Sequence, residues 1–179
     1  DTGARQLHFG IVQGSVYRQM REKCAEALVD MNFDGYAVGG LSVGEPEEAL
    51  FQAVDAAVPF LPADKPRYAM GLGTPPQLLE LVARGVDMFD CVMPTRVARN
   101  GAAFTHHGLL NLRNQKFQKD PEPIEKGCNC PACRGGFARG YIRHLIKAEE
   151  ILGLRLISLH NLHFYLTLME RARDAISSG

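Results

Sequence analysis

The chain has 179 residues, in which 20 Lys and Arg balance 20 Asp and Glu, and 46% of the residues are hydrophobic. This composition supplies enough apolar residues for a folded core, and the neutral charge argues against a strongly basic nucleic-acid module. No apolar run approaches the ~20 residues of a membrane span, and no signal peptide precedes the first strand-like segment. We therefore expect a cytoplasmic protein without a membrane partner.

The first half of the chain alternates between two kinds of segment. Predicted strands end in glycine or a polar residue and cover residues 7–14, 35–40, 67–73 and 86–94. Segments with helical spacing lie between them, at residues 15–31, 45–61 and 75–85. Ser15 is the predicted N-cap of the first helix. This alternation predicts βαβ units, a parallel sheet and the α/β class.

Four strands are half of a (β/α)₈ barrel, which takes roughly 250 residues. Because the chain also begins close to a strand and without Met, we expect it to be part of a longer protein. The predicted regions are 1–94 with the four strands, 95–137 as an insertion, and 138–179 as C-terminal helices. Within the insertion, short β segments are predicted over 102–114, and helical spacing returns at 138–153 and 161–177.

Three of the five cysteines, Cys128, Cys130 and Cys133, lie within six residues. This spacing indicates a metal site in a reducing compartment rather than a disulfide framework. Zinc commonly takes three thiolates and one histidine, and a fully ligated zinc is structural. The candidate fourth ligands are His144, His160, which precedes the second predicted helix, and His163. The alternative is three free buried cysteines, which the polar, Pro- and Gly-rich context disfavours.

The carboxyl ends of the predicted strands carry polar residues and glycines, and ligands bind at these ends in parallel sheets. Gln13 can read the edge of a purine-like base because its amide both donates and accepts. The glycines allow a flat ligand to approach the backbone, or they only turn the chain. Strand alternation places Asp87 and Asp90 on opposite faces. Asp87 suits a structural role, such as pairing with an arginine, whereas Asp90 suits either a functional role or a structural hydrogen bond.

Four motifs occur together in a fixed order: FGIVQGS, GYAVGGLSVGE, MFDCVMPTRVARNG and CNCPAC followed by HNLHFY. Their combination closely resembles the C-terminal half of the bacterial tRNA-guanine transglycosylases, zinc-containing (β/α)₈ enzymes of queuosine biosynthesis. The resemblance covers the chain from about His8 to Ile176. It implies half of a TIM barrel in 1–94, an inserted RNA-contacting and zinc-binding subdomain in 95–137, and helices in 138–179 that complete the zinc site.

The resemblance also implies a reaction. Asp90 is the nucleophile that attacks C1′ of the guanosine at the wobble position of a tRNA with a GUN anticodon. Guanine leaves, a ribosyl-aspartate ester remains, and 7-aminomethyl-7-deazaguanine displaces the enzyme. Two displacements retain the configuration at C1′.

Further residues receive implied roles. Base binding maps onto Gln13, Gly39, Gly40, Leu41 and Met70. Contact with tRNA maps onto Gly71, Leu72, Gly73, Thr74, Pro75, Pro76 and Gln77, and onto Thr95, Arg96, Val97, Ala98 and Arg99. One structural Zn²⁺ is held by Cys128, Cys130, Cys133 and His160. Val43 narrows the base pocket, which favours the aminomethyl base over the bulkier queuine.

The resemblance further implies a homodimer, which forms through the zinc region. The family's general acid/base aspartate, in a DSGGFQ motif, and another base-binding aspartate belong to the N-terminal half, so this chain alone is not expected to catalyse exchange. Three alternatives remain: a non-catalytic tRNA-binding paralogue, a zinc-knuckle RNA-binding module, and another barrel enzyme acting on nucleobases, including relatives that modify DNA.

Overall fold

The computed structural model describes residues 6–41, 44 and 46–179, so Val43 lies outside the described residues. The chain divides into two compact units, residues 1–91 and 92–179. The predicted boundaries after residues 94 and 137 stay predictions. Among the described residues, no helix has the length and apolar character that crossing a membrane requires.

The first unit contains a parallel sheet of four strands in the order β1-β2-β3-β4. The strands are β1 Phe9–Val12, β2 Gly35–Val38, β3 Arg67–Ala69 and β4 Met88–Phe89. Each strand lies within one of the four predicted segments, so the parallel sheet and the α/β class are confirmed. Residues 36–38 of β2 are buried almost completely, because this strand has a neighbour on each side and apolar side chains on both faces.

Helices follow the first three strands: α1 Arg18–Asp30, α2 Glu47–Asp55 and α3 Pro75–Ala83, with a 3₁₀ turn at Val58–Phe60. The predicted N-cap role of Ser15 is wrong, because Ser15 has a left-handed φ of 48° and Tyr17 is the N-cap of α1. The acidic first turn of α2 matches the positive end of its helix dipole. At the start of α3, Gln77 Oε1 accepts a hydrogen bond of 3.0 Å from the Thr74 N–H.

Asp87 has the predicted structural role, although its partner is a backbone group. Its Oδ2 accepts a 2.8 Å hydrogen bond from the Arg67 N–H, and its own N–H donates to the Arg67 carbonyl at 2.8 Å. Asp87 therefore ties the start of β4 to the start of β3. The register of these two strands, in which Tyr68 pairs with Met88, is thereby extended by one residue.

The second unit contains a hairpin and helices. The elements are α4 Met93–Arg99, β5 Ala102–Thr105, β6 Gly108–Asn111, a 3₁₀ turn at Gln115–Phe117, α5 Pro131–Arg134, α6 Arg139–Lys147 and α7 Ile151–Ser178. The antiparallel β5–β6 pair confirms the predicted β segments. The predicted helix break between residues 153 and 161 is wrong: the chain turns at residues 148–150, where Glu149 has φ 58°, and α7 is continuous.

Asn161 ties α7 to the start of this unit. Its side chain is fully buried, with Nδ2 donating to the carbonyls of Pro94 at 2.9 Å and Ala102 at 3.1 Å. Its Oδ1 accepts from the Phe104 N–H at 2.9 Å. Since a buried amide without partners is costly, these bonds fix α7 against α4 and β5 in one register.

Candidate functional site

A cavity of about 370 Å³ lies at the carboxyl ends of the four parallel strands. Its lining residues are Ile11, Gln13, Gly39, Gly40, Leu41, Tyr68, Met70, Gly71 and Asp90. The structure thus brings together all five residues with an implied base-binding role and the implied nucleophile. The parallel topology explains this convergence, because each strand delivers its last residues to the same edge of the sheet.

Gln13 lies directly against two glycines. A Cβ atom at position 39 would lie 2.6 Å from Gln13 Nε2, and one at position 40 would lie 2.9 Å from Gln13 Oε1. Gly40 also has a left-handed φ of 63°, which favours glycine. Any larger residue at either position would displace the Gln13 amide from the cavity wall. The backbone of Gln13 is also fixed, because its N–H donates to Cys24 Sγ of α1 at 3.3 Å.

Asp90 is held by two hydrogen bonds that converge on one oxygen. Tyr68 donates its hydroxyl to Oδ1 at 2.6 Å, and the Gly71 N–H donates to the same atom at 2.7 Å. The bond from Tyr68, followed by the bond from Gly71, lowers the pKa of Asp90 below 3.8, whereas the same bond raises the pKa of Tyr68. Asp90 is therefore an exposed carboxylate whose second oxygen, Oδ2, takes no part in these two bonds.

Tyr68→Phe is expected to raise the pKa of Asp90, because the largest stabilisation of the carboxylate is removed. A folded-state pKa below the unfolded one contributes stability that is present above the unfolded pKa and lost as the pH falls through the folded pKa. The variant should therefore lose this contribution at a higher pH than the wild type. Carboxyl ¹³C NMR titration of Asp90 measures the shift. Tyr17→Phe, at an exposed tyrosine, is the control, and an unchanged Asp90 titration in Tyr68→Phe would contradict the assignment.

The first segment with an implied tRNA role begins at this cavity and then enters α3. Gly71 lines the cavity, but Leu72 is buried in the core. Pro75 and Pro76 open α3, and Gln77 Nε2 donates to Glu47 Oε1 at 2.7 Å. Part of this segment therefore builds the fold.

The second such segment, residues 95–99, forms most of α4, a helix that the sequence did not predict. Ala98 is fully buried, whereas Arg96 and Arg99 are exposed and lie in the last turn. Thr95 Oγ1 donates to the Val92 carbonyl at 3.2 Å. Only the two arginines of this segment present a charge to solvent.

The second unit contains a cluster of four side chains that could hold a metal ion: Cys128, Cys130, Cys133 and His160. Their donor atoms lie within 4.8 Å of one another, and His160 Nδ1 lies 3.6, 3.5 and 3.6 Å from the three Sγ atoms in turn. His160 lies inside α7, not before a helix as predicted. Within the described part of the chain, His144 and His163 do not join the cluster.

Hydrogen bonds around this Cys₃His cluster orient its donor atoms. His160 Nε2 lies 2.7 Å from the Phe104 carbonyl, which accepts the ring N–H and leaves Nδ1 to face the sulfur atoms. The Cys130 Sγ accepts from the Cys133 N–H at 3.3 Å. Hydrogen bonding from the Cys133 side chain holds the pKa of the Cys130 thiol well below its usual range, which favours the thiolate that a metal ion binds.

Comparisons with known proteins identify the family to which this chain belongs. A family model described as queuine tRNA-ribosyltransferase matches residues 1–179. Similar relatives named queuine tRNA-ribosyltransferase include those of Desulforamulus reducens, 54% identical over 171 residues, and Clostridium acetobutylicum, 55% identical over 174 residues. These alignments cover 96% and 97% of this chain but 46% of each relative, so the chain spans about half the length of the curated relatives it matches. The chain belongs to the queuine tRNA-ribosyltransferase family.

Proposed function

We propose that this chain carries the nucleophile, part of the base pocket and the zinc centre of a tRNA-guanine transglycosylase. The observation that supports this most directly is the position of Asp90. Its carboxylate is ionised and oriented by Tyr68 and Gly71, and it lies in one cavity with Gln13 and Gly40. A pocket for a flat polar base beside an oriented carboxylate suits displacement of a nucleobase from ribose.

In the proposed reaction, an oxygen of Asp90 attacks C1′ of the wobble guanosine. The C1′–N9 bond breaks, its electron pair goes to guanine, and guanine takes up a proton as it leaves. The incoming 7-aminomethyl-7-deazaguanine loses the proton on its attacking nitrogen and displaces the ester from C1′, which regenerates the Asp90 carboxylate. A low pKa at Asp90 serves both steps, since the group must be ionised to attack and stable as a leaving group.

The base is proposed to lie between Gln13, Gly40 and Leu41, with Met70 beneath it. Met70 is partly exposed at the cavity wall, so its flexible apolar side chain is available to pack on a base. The remaining features drawn from the family belong to the same proposal. They are the closed TIM barrel, the tRNA with a GUN anticodon, the homodimer and the cytoplasmic location.

We also propose that the Cys₃His cluster binds one zinc ion. Zn–S bonds of about 2.3 Å and Zn–N bonds of about 2.0–2.1 Å place S and N about 3.5 Å apart in a tetrahedron. The three Sγ–Nδ1 distances of 3.5–3.6 Å agree with this value. With four protein donors the ion has no open position for water or substrate, so its role is structural and no step of the reaction passes through it.

Base exchange into tRNA tests the proposed function. This chain is mixed with the separately produced N-terminal portion of the Clostridium acetobutylicum relative, and incorporation of radiolabelled guanine into tRNA is measured. We expect exchange by the mixture but not by this chain alone. The matched control is the relative's own two portions. If the control mixture exchanges guanine and the mixture with this chain does not, a non-catalytic RNA-binding role replaces the proposal.

Replacing Arg96 or Arg99 by Ala is expected to weaken tRNA binding while leaving base binding unchanged, because both guanidinium groups are exposed on α4. Each lost phosphate contact should reduce the slope of log K against log salt by about one unit. Filter binding at several salt concentrations measures both quantities. Arg18→Ala, at an exposed arginine of α1, is the control. Equal loss of tRNA and base binding would instead assign the two arginines to the fold.

A further inference from the structure

A fully buried arginine, Arg21, lies behind the base pocket. Its Nε donates to the Ser15 carbonyl at 2.5 Å, and both of its terminal nitrogens donate to the Gly39 carbonyl at 3.2 Å. Nη2 also donates to the Gly40 carbonyl at 3.3 Å. One guanidinium group therefore binds carbonyls from two adjacent strand-end turns, the turn after β1 and the turn after β2.

The backbone holds Arg21 in this place. A Cβ atom at Gly14 would lie 2.7 Å from the Arg21 backbone nitrogen, so the chain at Gly14 passes directly over the start of α1. Gly14 and Ser15 both have positive φ values, 143° and 48°. The bond from Arg21 to the Ser15 carbonyl stabilises this unusual conformation of a non-glycine residue. The turn that follows Gln13 is thus fixed by the same side chain that binds the turn at Gly39 and Gly40.

Hydrogen bonds to a carbonyl polarise the whole peptide group to which it belongs. The Gly39 carbonyl shares its peptide group with the Gly40 N–H, and the Gly40 carbonyl shares its group with the Leu41 N–H. Both Gly40 and Leu41 line the cavity that contains Asp90. A buried positive charge on the far side of these peptides makes their N–H groups stronger donors, because the interior screens charge weakly.

We infer that Arg21 is a positioning residue that sets the direction and strength of the Gly40 and Leu41 N–H donors toward the carbonyl oxygen of a 6-oxopurine-type base. This inference rests on the proposed function, since it assigns a ligand to the same pocket. The donors gain most when the base becomes negatively charged, as it does when the glycosidic bond breaks. Arg21 thereby favours departure of the base without touching it.

NMR spectroscopy of the ¹⁵N-labelled chain tests the inference on Arg21→Met, which removes the charge at similar length. We expect the Gly40 and Leu41 amide nitrogens to move upfield, because their peptide carbonyls lose a donor. Titration with 7-aminomethyl-7-deazaguanine, followed on the same resonances, should give an affinity about tenfold weaker than that of the wild type. Arg18→Met, on the exposed side of α1, should change neither quantity.

Two further variants separate positioning from general stability. Arg21→Lys keeps the charge but not the planar set of guanidinium donors. Its amide nitrogen shifts and its base affinity should therefore lie between those of the wild type and of Arg21→Met. In Arg21→Ala, guanidinium chloride below denaturing concentration should restore the Gly40 resonance and base affinity, whereas sodium chloride should not. A merely structural role would not respond selectively to guanidinium.

Unchanged Gly40 resonance and base affinity in a folded Arg21→Lys or Arg21→Met protein would overturn the inference. If the wild-type chain does not bind the base, that result contradicts the proposed base pocket but does not test the role of Arg21. The chemical shifts of the Gly40 and Leu41 amide nitrogens then test the inference alone, and unchanged shifts in Arg21→Met would refute it.

Discussion

Asp90→Asn is expected to abolish guanine exchange by the mixture of this chain with the N-terminal portion of a relative, by at least about 10⁴-fold. Asparagine keeps an oxygen that can accept from Tyr68 and Gly71, so the site should keep its shape. The amide is a very poor nucleophile, so attack at C1′ is lost. Mass spectrometry of the denatured mixture with tRNA should find an adduct on Asp90 in the wild type and none in the variant.

Asp87→Asn is the matched control for this result. Asp87 is three residues away, and it bonds a backbone N–H rather than the groups of the cavity. Its replacement should leave the adduct and the exchange rate within a few-fold of the wild type, as expected for a group outside the reacting constellation. An adduct that persists in Asp90→Asn would assign the nucleophile to another residue.

Removing the metal is expected to unfold residues 92–179. Structural zinc sites contribute roughly 10–16 kcal/mol in small zinc-binding peptides, comparable to or larger than the 5–15 kcal/mol stability of a whole domain. The apolar core of this unit includes Cys130 and Ala132 beside Ile157, so the cluster is part of the core itself. Chelation should abolish amide protection in residues 92–179, as measured by hydrogen exchange with mass spectrometry.

Two histidine variants make the metal prediction specific. His160→Ala should lower the metal content from one zinc per chain to near zero and reproduce the effect of chelation. His163→Ala, one turn further along α7, should keep the metal because His163 is outside the cluster. Full amide protection in metal-free protein, or loss of zinc in His163→Ala alone, would disprove the assigned ligand set.

The sheet could be predicted from sequence because its signals are local. Glycines and polar residues end each strand, and prolines open α3. The helix α4 was missed, since seven residues starting at a Met-Pro pair offer too few positions for an apolar period. The break before α7 was misplaced for a different reason. Helical spacing cannot locate a turn at Glu149, because a left-handed φ at a non-glycine residue leaves no signal in the apolar pattern.

Some residues of the site could be predicted from the sequence and others could not. Gln13, Gly40 and Asp90 could be predicted because parallel topology delivers strand ends to one edge. Tyr68 was missed because its place beside Asp90 follows from the register of β3 against β4. In that register Tyr68 pairs with Met88, so alternation places it on the face of Asp90 two residues later. Arg21 could not be found, since a charged residue on a helix is ordinarily read as exposed. Its contacts with the turns after β1 and β2 become visible only in the folded chain.

The separation of the four metal donors along the chain has a consequence for synthesis on the ribosome. Cys133, the last of the three cysteines, lies 27 residues before His160. At about 5–20 residues per second, all three thiols are therefore made roughly 1–5 s before the histidine that completes the set. A metal captured early would be held by an incomplete set, and closure has to wait until the middle of α7 has emerged and docked. Under the proposed zinc binding, insertion of the ion and assembly of the helices form one event, and a shortage of zinc should leave residues 92–179 in a protease-sensitive form.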